Sequence, residues 1–286
     1  MDSDYAKDVL VSPDWLAEHI ETFGDDDPAY RLIEADKEYD EAYAETHIPN
    51  AIGLRWNEDL QDSTERDLLK KEDFEQVMGE HGITEDTTVV IYSDEHNQWA
   101  AYTYWEMKYY GHDDVRLLDG GRDYWFDNDY PATTEEPSFT EREYNAAGPF
   151  EDIRTYRDGV NQSREQDVPL VDVRSHDEFV GDIIAPPDSK ETAQRAGHIP
   201  GAQNISWSEN VGDDYRFKSR DDLEQLYDEY GVEDDGAVVT YCRIGERSSL
   251  TWFSLHELLG YDSVLNYDGS WTEWGSMVRS PIETGE

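Results

Sequence analysis

The chain has 286 residues, 37% hydrophobic and 13% aromatic, enough to build the core of one large domain or two ordinary ones, and its 23 basic against 68 acidic side chains leave a net charge of −45. Nine Trp and nineteen Tyr exclude an acidic disordered chain, and the negative field disfavours nucleic acid or an anionic membrane surface as partner. No run approaches the roughly 18 apolar residues of a membrane span, and Met1-Asp2-Ser3-Asp4 lacks the basic and apolar regions of a signal peptide, which predicts a cytoplasmic protein.

In chain order, the first predicted strand is Leu32-Ile33-Glu34, followed by the turn His47-Ile48-Pro49-Asn50-Ala51 and the strand Val89-Val90-Ile91-Tyr92-Ser93. Gly111, Val115, Asp119-Gly120 and Trp125 come next, and then the polar stretch Asn128 to Phe150, with Pro131, Pro137 and Pro149 and no sustained period, which reads as a linker. Beyond it the predicted strands are Val168 to Val173, Ala202 to Ile205, Ala237 to Tyr241 and Val264 to Tyr267. The predicted helices lie near Ile153 to Val160, Asp221 to Tyr230 and Ser248 to Leu259. Continuous apolar strands separated by helices imply a parallel sheet covered on both faces.

The second series repeats the first. Ser93 aligns with Cys242 at an offset of 149 that persists without a gap through Gly111/Gly260, Val115/Val264, Asp119-Gly120/Asp268-Gly269 and Trp125/Trp274. Upstream, Leu32 matches Leu170 at offset 138 and His47 matches His198 at offset 151, so the second copy carries thirteen extra residues, near Ile183 to Arg195. This period is too long for a solenoid. It divides the chain into a domain over 1–130, a linker over 131–149 and a second domain over 150–286.

Cys242, the only cysteine, falls where a strand gives way to the loop Arg243-Ile244-Gly245-Glu246-Arg247 and then a helix. A lone cysteine can equally be a small buried hydrophobe. At this turn, though, helix-start N–H groups and two guanidiniums favour a thiolate. In an open parallel sheet ligands bind beyond the carboxyl ends of the strands, and the loop can wrap the sulfur as an anion nest with Gly245 in a left-handed conformation. Arg243 and Arg247 suit an oxyanion such as thiosulfate, sulfite, phosphate or arsenate. With no second thiol, any sulfur adduct must be resolved by an external molecule. In the first copy Ser93 is followed by Asp94-Glu95-His96-Asn97-Gln98, which lacks both thiol and cationic loop, so that copy is expected to be inactive and to cover the active face of the second.

Taken together, Asp172-Val173-Arg174, Gly197-His198-Ile199-Pro200-Gly201-Ala202, Cys242-Arg243-Ile244-Gly245-Glu246-Arg247-Ser248-Ser249 and Asp268-Gly269-Ser270-Trp271-Thr272-Glu273-Trp274 resemble the tandem-domain rhodanese sulfurtransferases, over essentially the whole chain. The resemblance implies two α/β rhodanese-like domains, each a parallel sheet flanked by helices on both faces, with Cys242 as nucleophile in the second. Substrate is then held by Arg243, Ile244, Gly245, Glu246, Arg247 and Ser248, and Asp172 with Arg174 form an ion pair bracing the loop. A cation directly after the cysteine points to thiosulfate as donor, with a Cys242 persulfide passed to cyanide or a small thiol. No metal or organic cofactor is implied, nor a general base if the local field already ionises the thiol. Asp177 and Glu178 stand where some relatives carry a basic substrate-contacting residue. His47 and His198 occur in both copies and read as turn-forming. Trp271 and Trp274 read as core or pocket rim.

Alternatives are a 3-mercaptopyruvate sulfurtransferase, a cysteine-based phosphatase or arsenate reductase, and a persulfide carrier fed by a partner protein. Phosphatases usually place five residues between Cys and Arg, against four here. Seven Lys against sixteen Arg, with the dense carboxylate surface, predict a salt-adapted protein whose self-repulsion is screened within roughly 3 Å at 1 M.

Overall fold

The computed structural model describes residues 4–187, 189, 192–234 and 236–285. The strands are β1 Leu10–Val11, β2 Tyr30–Asp36, β3 Ala51–Arg55, β4 Thr88–Tyr92, β5 Val115–Leu118, β6 Arg154–Thr155, β7 Leu170–Asp172, β8 Gln203–Asn204, β9 Val238–Tyr241 and β10 Val264–Tyr267. The α-helices are α1 Pro13–His19, α2 Lys71–Glu80, α3 Gln98–Tyr109, α4 Gly121–Asp127, α5 Arg157–Glu165, α6 His176–Val180, α7 Arg220–Asp228, α8 Glu246–Trp252 and α9 Ser270–Trp274. Each half forms its own five-stranded parallel sheet flanked by helices, in the orders β1-β5-β4-β2-β3 and β6-β10-β9-β7-β8.

The two orders are one topology used twice, and the duplication holds at the level of register. Val89 pairs with Val115 as Val238 pairs with Val264, and Leu32 pairs with Val90 as Leu170 pairs with Val239. The extra residues of the second copy fall between α6 and β8, beyond the sheet, which is why they leave the pairing unchanged; Asp188, Lys190 and Glu191 lie outside the described residues. Because both faces of each sheet are covered, the central strands read as unbroken apolar runs, as in the fully buried Val238–Tyr241.

Local details repeat too. Tyr92 Oη accepts the Ile48 N–H at 3.0 Å, and Tyr241 Oη accepts the Ile199 N–H at 3.1 Å. His47 stacks on Tyr43 and donates from Nδ1 to its carbonyl at 2.8 Å, and His198 stacks on Phe179 and does the same. Trp125 and Trp274 each donate from Nε1 to a proline carbonyl, of Pro131 and Pro281, at 2.8 and 2.7 Å. These histidines and tryptophans are therefore scaffold: all are buried, with ring nitrogens spent on backbone carbonyls.

The chain divides into compact units of 9–150 with 213–217, and 1–8 with 151–212 and 218–286. The stretch from Asn128 to Phe150 has no regular element after α4 beyond an isolated bridge, yet it packs within the first unit. Thr133 bridges His47, Arg142 N–H donates to Gly79 O at 2.9 Å, and Tyr144 is buried against Phe74 and His112. Ala6 and Lys7 pack with the second unit, where Ala6 N–H donates to Leu258 O at 2.8 Å and Lys7 pairs with Glu257.

The helix after the cysteine differs from the single element Ser248 to Leu259 read from the sequence. It begins two residues earlier, at Glu246, and becomes a π-helix over Phe253–Leu259. Apolar periodicity cannot register that shift, because both forms bury the same Leu250, Trp252, Phe253 and Leu255.

Candidate active site

β9 ends at Tyr241 and α8 starts at Glu246, so Cys242 to Gly245 form the turn between them. Gly245 makes the turn possible: its φ is +100°, and a Cβ there would lie 2.8 Å from Asp268 Oδ1. Its carbonyl accepts from Ser248 Oγ, Ser249 Oγ and Asn266 Nδ2 at 3.0, 2.9 and 3.1 Å. α9 holds the other side, with Trp271 and Thr272 N–H groups donating to the Cys242 and Arg243 carbonyls and Cys242 N–H donating to Ser270 Oγ at 3.1 Å. Six such bonds on three loop residues, Cys242, Arg243 and Gly245, fix the sulfur before any substrate arrives.

Cys242 is fully buried. Its Sγ accepts the Gly245 N–H at 3.2 Å and is also approached by the backbone N–H of Ser248. The predicted nest is thus present around the sulfur, built by the backbone of Gly245 and Ser248. The Ser248 hydroxyl is turned away, donating to Gly245 O and Asn266 Oδ1.

The expected field on the thiol is reversed. The Cys242 thiol donates to Glu246 Oε2 at 3.1 Å, and burial, followed by the Glu246 charge, pushes the thiol's pKa up, with Arg247 and the Ser248 N–H opposing. The expectation that helix-start N–H groups and two guanidiniums favour a thiolate leaves out the Glu246 carboxylate as a partner of the sulfur, and it is the thiol's direct acceptor. The arginines are compensated as well. Arg247 donates to both oxygens of Glu178 at 3.0 and 3.3 Å and lies 3.8 Å from Glu246. Arg243 lies 3.7 Å from Glu246. Burial acts to weaken both Arg247 and Glu178 as ions, yet attraction wins at each: Cys242, then Glu178 and Glu246, raise the Arg247 pKa, and Arg247 lowers that of Glu178.

Glu178 is a site residue that sequence reasoning placed only as a departure from relatives. Its local signal is the capping box Ser175-His176-Asp177-Glu178: Ser175 Oγ accepts the Glu178 N–H, and Glu178 Oε2 accepts from Ser175 N–H. Nothing local announces that the same carboxylate grips an arginine 69 residues away. Asp172 and Arg174 form a fully buried bidentate pair at 2.9 and 2.6 Å. Arg174 also donates to Gly197 O and lies 4.6 Å over the Trp271 ring, which ties the end of β7 to the start of α9 beside the loop. Ile244 is buried.

In the first copy the equivalent turn is wound differently. Glu95, His96 and Asn97 all have positive φ, Ser93 Oγ accepts the Ala100 N–H, and Asn97 Oδ1 takes the Ser93 N–H. Burial, with Asp36 and Glu95, pushes Asp94 up to about 8. The position of Arg174 is occupied by Asp36, and Glu34, the counterpart of Asp172, pairs with Arg122 instead. Thiol, anion nest and cationic side chains are all replaced.

Residues 12–128 and 155–277 each match the rhodanese-like domain. A Haloferax volcanii protein provisionally named thiosulfate sulfurtransferase is 62% identical over 283 residues, 99% of both chains. The sulfur carrier protein TtuD of Thermus thermophilus is 47% identical over 284 residues, 98% of each. Among solved structures, the anaerobic ergothioneine biosynthesis enzyme from Chlorobium limicola, in complex with trimethyl histidine, aligns at a TM-score of 0.85 and 27% identity, over 97% of this chain and 70% of that one. A persulfide form of EanB with ergothioneine aligns at 0.83 and 26% identity, with the same coverage.

Proposed function

Because the chain belongs to the rhodanese-like family through both of its halves, we propose that it is a thiosulfate sulfurtransferase, carrying sulfane sulfur as a Cys242 persulfide to cyanide or a small thiol. The observation that carries this reading is the sulfur of Cys242 at the base of a rigid turn, with backbone N–H groups of Gly245 and Ser248 aimed at it. The Cys242 sulfur, on giving up its proton, attacks the outer sulfur of thiosulfate, the S–S bond breaks, and sulfite leaves with the bonding electron pair. The same N–H groups stabilise the persulfide that remains, in the manner of an oxyanion hole. Arg243 and Arg247 flank the turn and offer charge to the sulfonate, and Asp172 with Arg174 and Glu178 hold the surrounding elements in place. The relationship to a provisionally named thiosulfate sulfurtransferase at 62% identity supports this donor. Covalent storage gives ping-pong kinetics. The catalytic domain is 150–286, and the domain over 1–130 is inactive.

A second reading, a persulfide carrier loaded by a partner protein, is favoured by the 47% identity to a sulfur carrier and by charge compensation around the turn, which lessens its attraction for a small dianion. Among the described residues no helix is long and apolar enough to cross a membrane, and the composition supports a cytoplasmic protein of a salt-adapted cell. The test is intact mass in high salt before and after thiosulfate and again after cyanide, with thiocyanate measured alongside and Cys242→Ser as control. A one-sulfur gain that cyanide removes with turnover, absent in C242S, supports the enzyme. No gain from thiosulfate, with loading from a protein persulfide, supports the carrier.

A further inference from the structure

The geometry points to Glu246 as the catalytic base of this site, the group that takes the Cys242 proton as the sulfur attacks its donor. The inference rests on the reading of Cys242 as a sulfur-accepting nucleophile, and extends it to how a buried thiol becomes reactive.

The thiol is fully buried, and its hydrogen-bond acceptor is Glu246 Oε2, 3.1 Å away. That is the reach required of a general base. Glu246 is itself buried and sits in the first turn of α8, fixed relative to the sulfur by the backbone of Gly245. The remaining charges around the pair form balanced contacts. Arg243 and Arg247 flank the Glu246 carboxylate at 3.7 and 3.8 Å, and Arg247 is gripped by Glu178 from α6. Arg174 is held by Asp172 at the end of β7, and Arg154 by Asp268 after β10. Burial and the Glu246 charge oppose ionisation of the sulfur in place, against Arg247 and the Ser248 N–H, and the acceptor that the geometry offers for its proton as the new bond forms is Glu246 Oε2.

The step balances without a further reagent. The Cys242 S–H bond breaks and its proton moves to Glu246. The electron pair left on Sγ forms the bond to the outer sulfur of the donor, and the donor's own S–S bond breaks with its pair leaving on sulfite. The proton then passes from Glu246 to the outgoing sulfite or to the terminal persulfide sulfur, which restores the carboxylate.

Glu246→Gln keeps the shape and removes the base. A general base contributes about 10²- to 10⁴-fold, so sulfur loading of E246Q from thiosulfate is expected to fall by about 10²-fold at neutral pH and to recover as pH rises and hydroxide ionises the thiol instead. If Glu246 only placed a negative charge beside the sulfur, its removal would ease ionisation and speed loading. If it were only structural, the loss would not change with pH. Faster loading, unchanged loading or a pH-independent loss each overturn the inference. Alkylation of Cys242 by iodoacetamide, which needs no sulfur donor, is followed in parallel across the same pH range, with the same signs expected. Failure of wild-type protein to load from thiosulfate removes that donor but leaves the alkylation comparison to decide the role of Glu246. Should E246Q not fold, Glu246→Asp shortens the carboxylate's reach and is expected to give a smaller loss of the same pH-dependent form.

Discussion

Arg247 serves two carboxylates at once, and its removal would bare one of them. With both guanidinium ends on Glu178, Arg247→Ala leaves a fully buried carboxylate unpaired, and the second unit should lose about 3–5 kcal/mol of stability in denaturant unfolding at molar salt. Arg247→Lys keeps the charge but not the two-pronged geometry, and is expected to recover only part of the loss. At this scale the sequence was legible as chemistry and illegible as pairing. Cys242, the loop glycine and both arginines stand out because their types and order match a nucleophile in a turn. Which charge meets which is decided by side chains that converge only in the folded chain. Glu246, three residues from Arg243 and adjacent to Arg247, was readable as their partner but not as the group that faces the sulfur, and nothing near Glu178 announced that it would hold Arg247.

The strands, the turn before β8 and the tyrosine at the end of each central strand act as one element in both halves. Tyr241 Oη accepts the Ile199 N–H and hydrogen-bonds the Asp172 carboxylate, as Tyr92 Oη accepts the Ile48 N–H and donates to Glu34. Tyr241→Phe and Tyr92→Phe each strand a buried N–H and take one hydrogen bond from a buried carboxylate that Arg174 or Arg122 still holds. Each should cost about 1–3 kcal/mol, read as faster hydrogen exchange at Ile199 or Ile48. Loss in only one half would show that the two braces are not equivalent. These elements were largely readable, because apolar runs of period-free character mark doubly covered strands. Two features escaped: the short strand Arg154–Thr155, which falls inside the helix expected near Ile153 to Val160 and moves that helix to Arg157–Glu165, and the change from α to π form after Trp252, which alters hydrogen-bond spacing without altering which residues are apolar.

On the scale of the whole molecule, charge decides under what conditions the fold persists. A net charge of −45 repels itself at low ionic strength, so the unfolding midpoint should rise from millimolar to molar KCl; an unchanged midpoint would refute the salt-adapted reading. Buried carboxyls add a pH dependence of definite sign. Asp94 binds its proton more tightly folded, at about 8, than its ordinary 3.8. Its contribution to stability is fully present below about pH 3.8 and is lost as pH rises through about 8. The first unit should therefore weaken across that window, and Asp94→Asn should flatten the dependence in unfolding measured against pH.

The matched registers of the two sheets have a consequence for experiment. A fold that carries a reactive group ordinarily has to be compared with a mutant or a distant relative to learn what the reactivity costs it. Here the chain contains its own blank. The same strand order, the same tyrosine brace and the same histidine stack occur once with Cys242 after the central strand and once with Ser93 in its place, under one solvent and one temperature. Any difference in exchange, stability or chemical labelling between corresponding positions of the halves is then a measure of what has been built around the sulfur, with the scaffold subtracted.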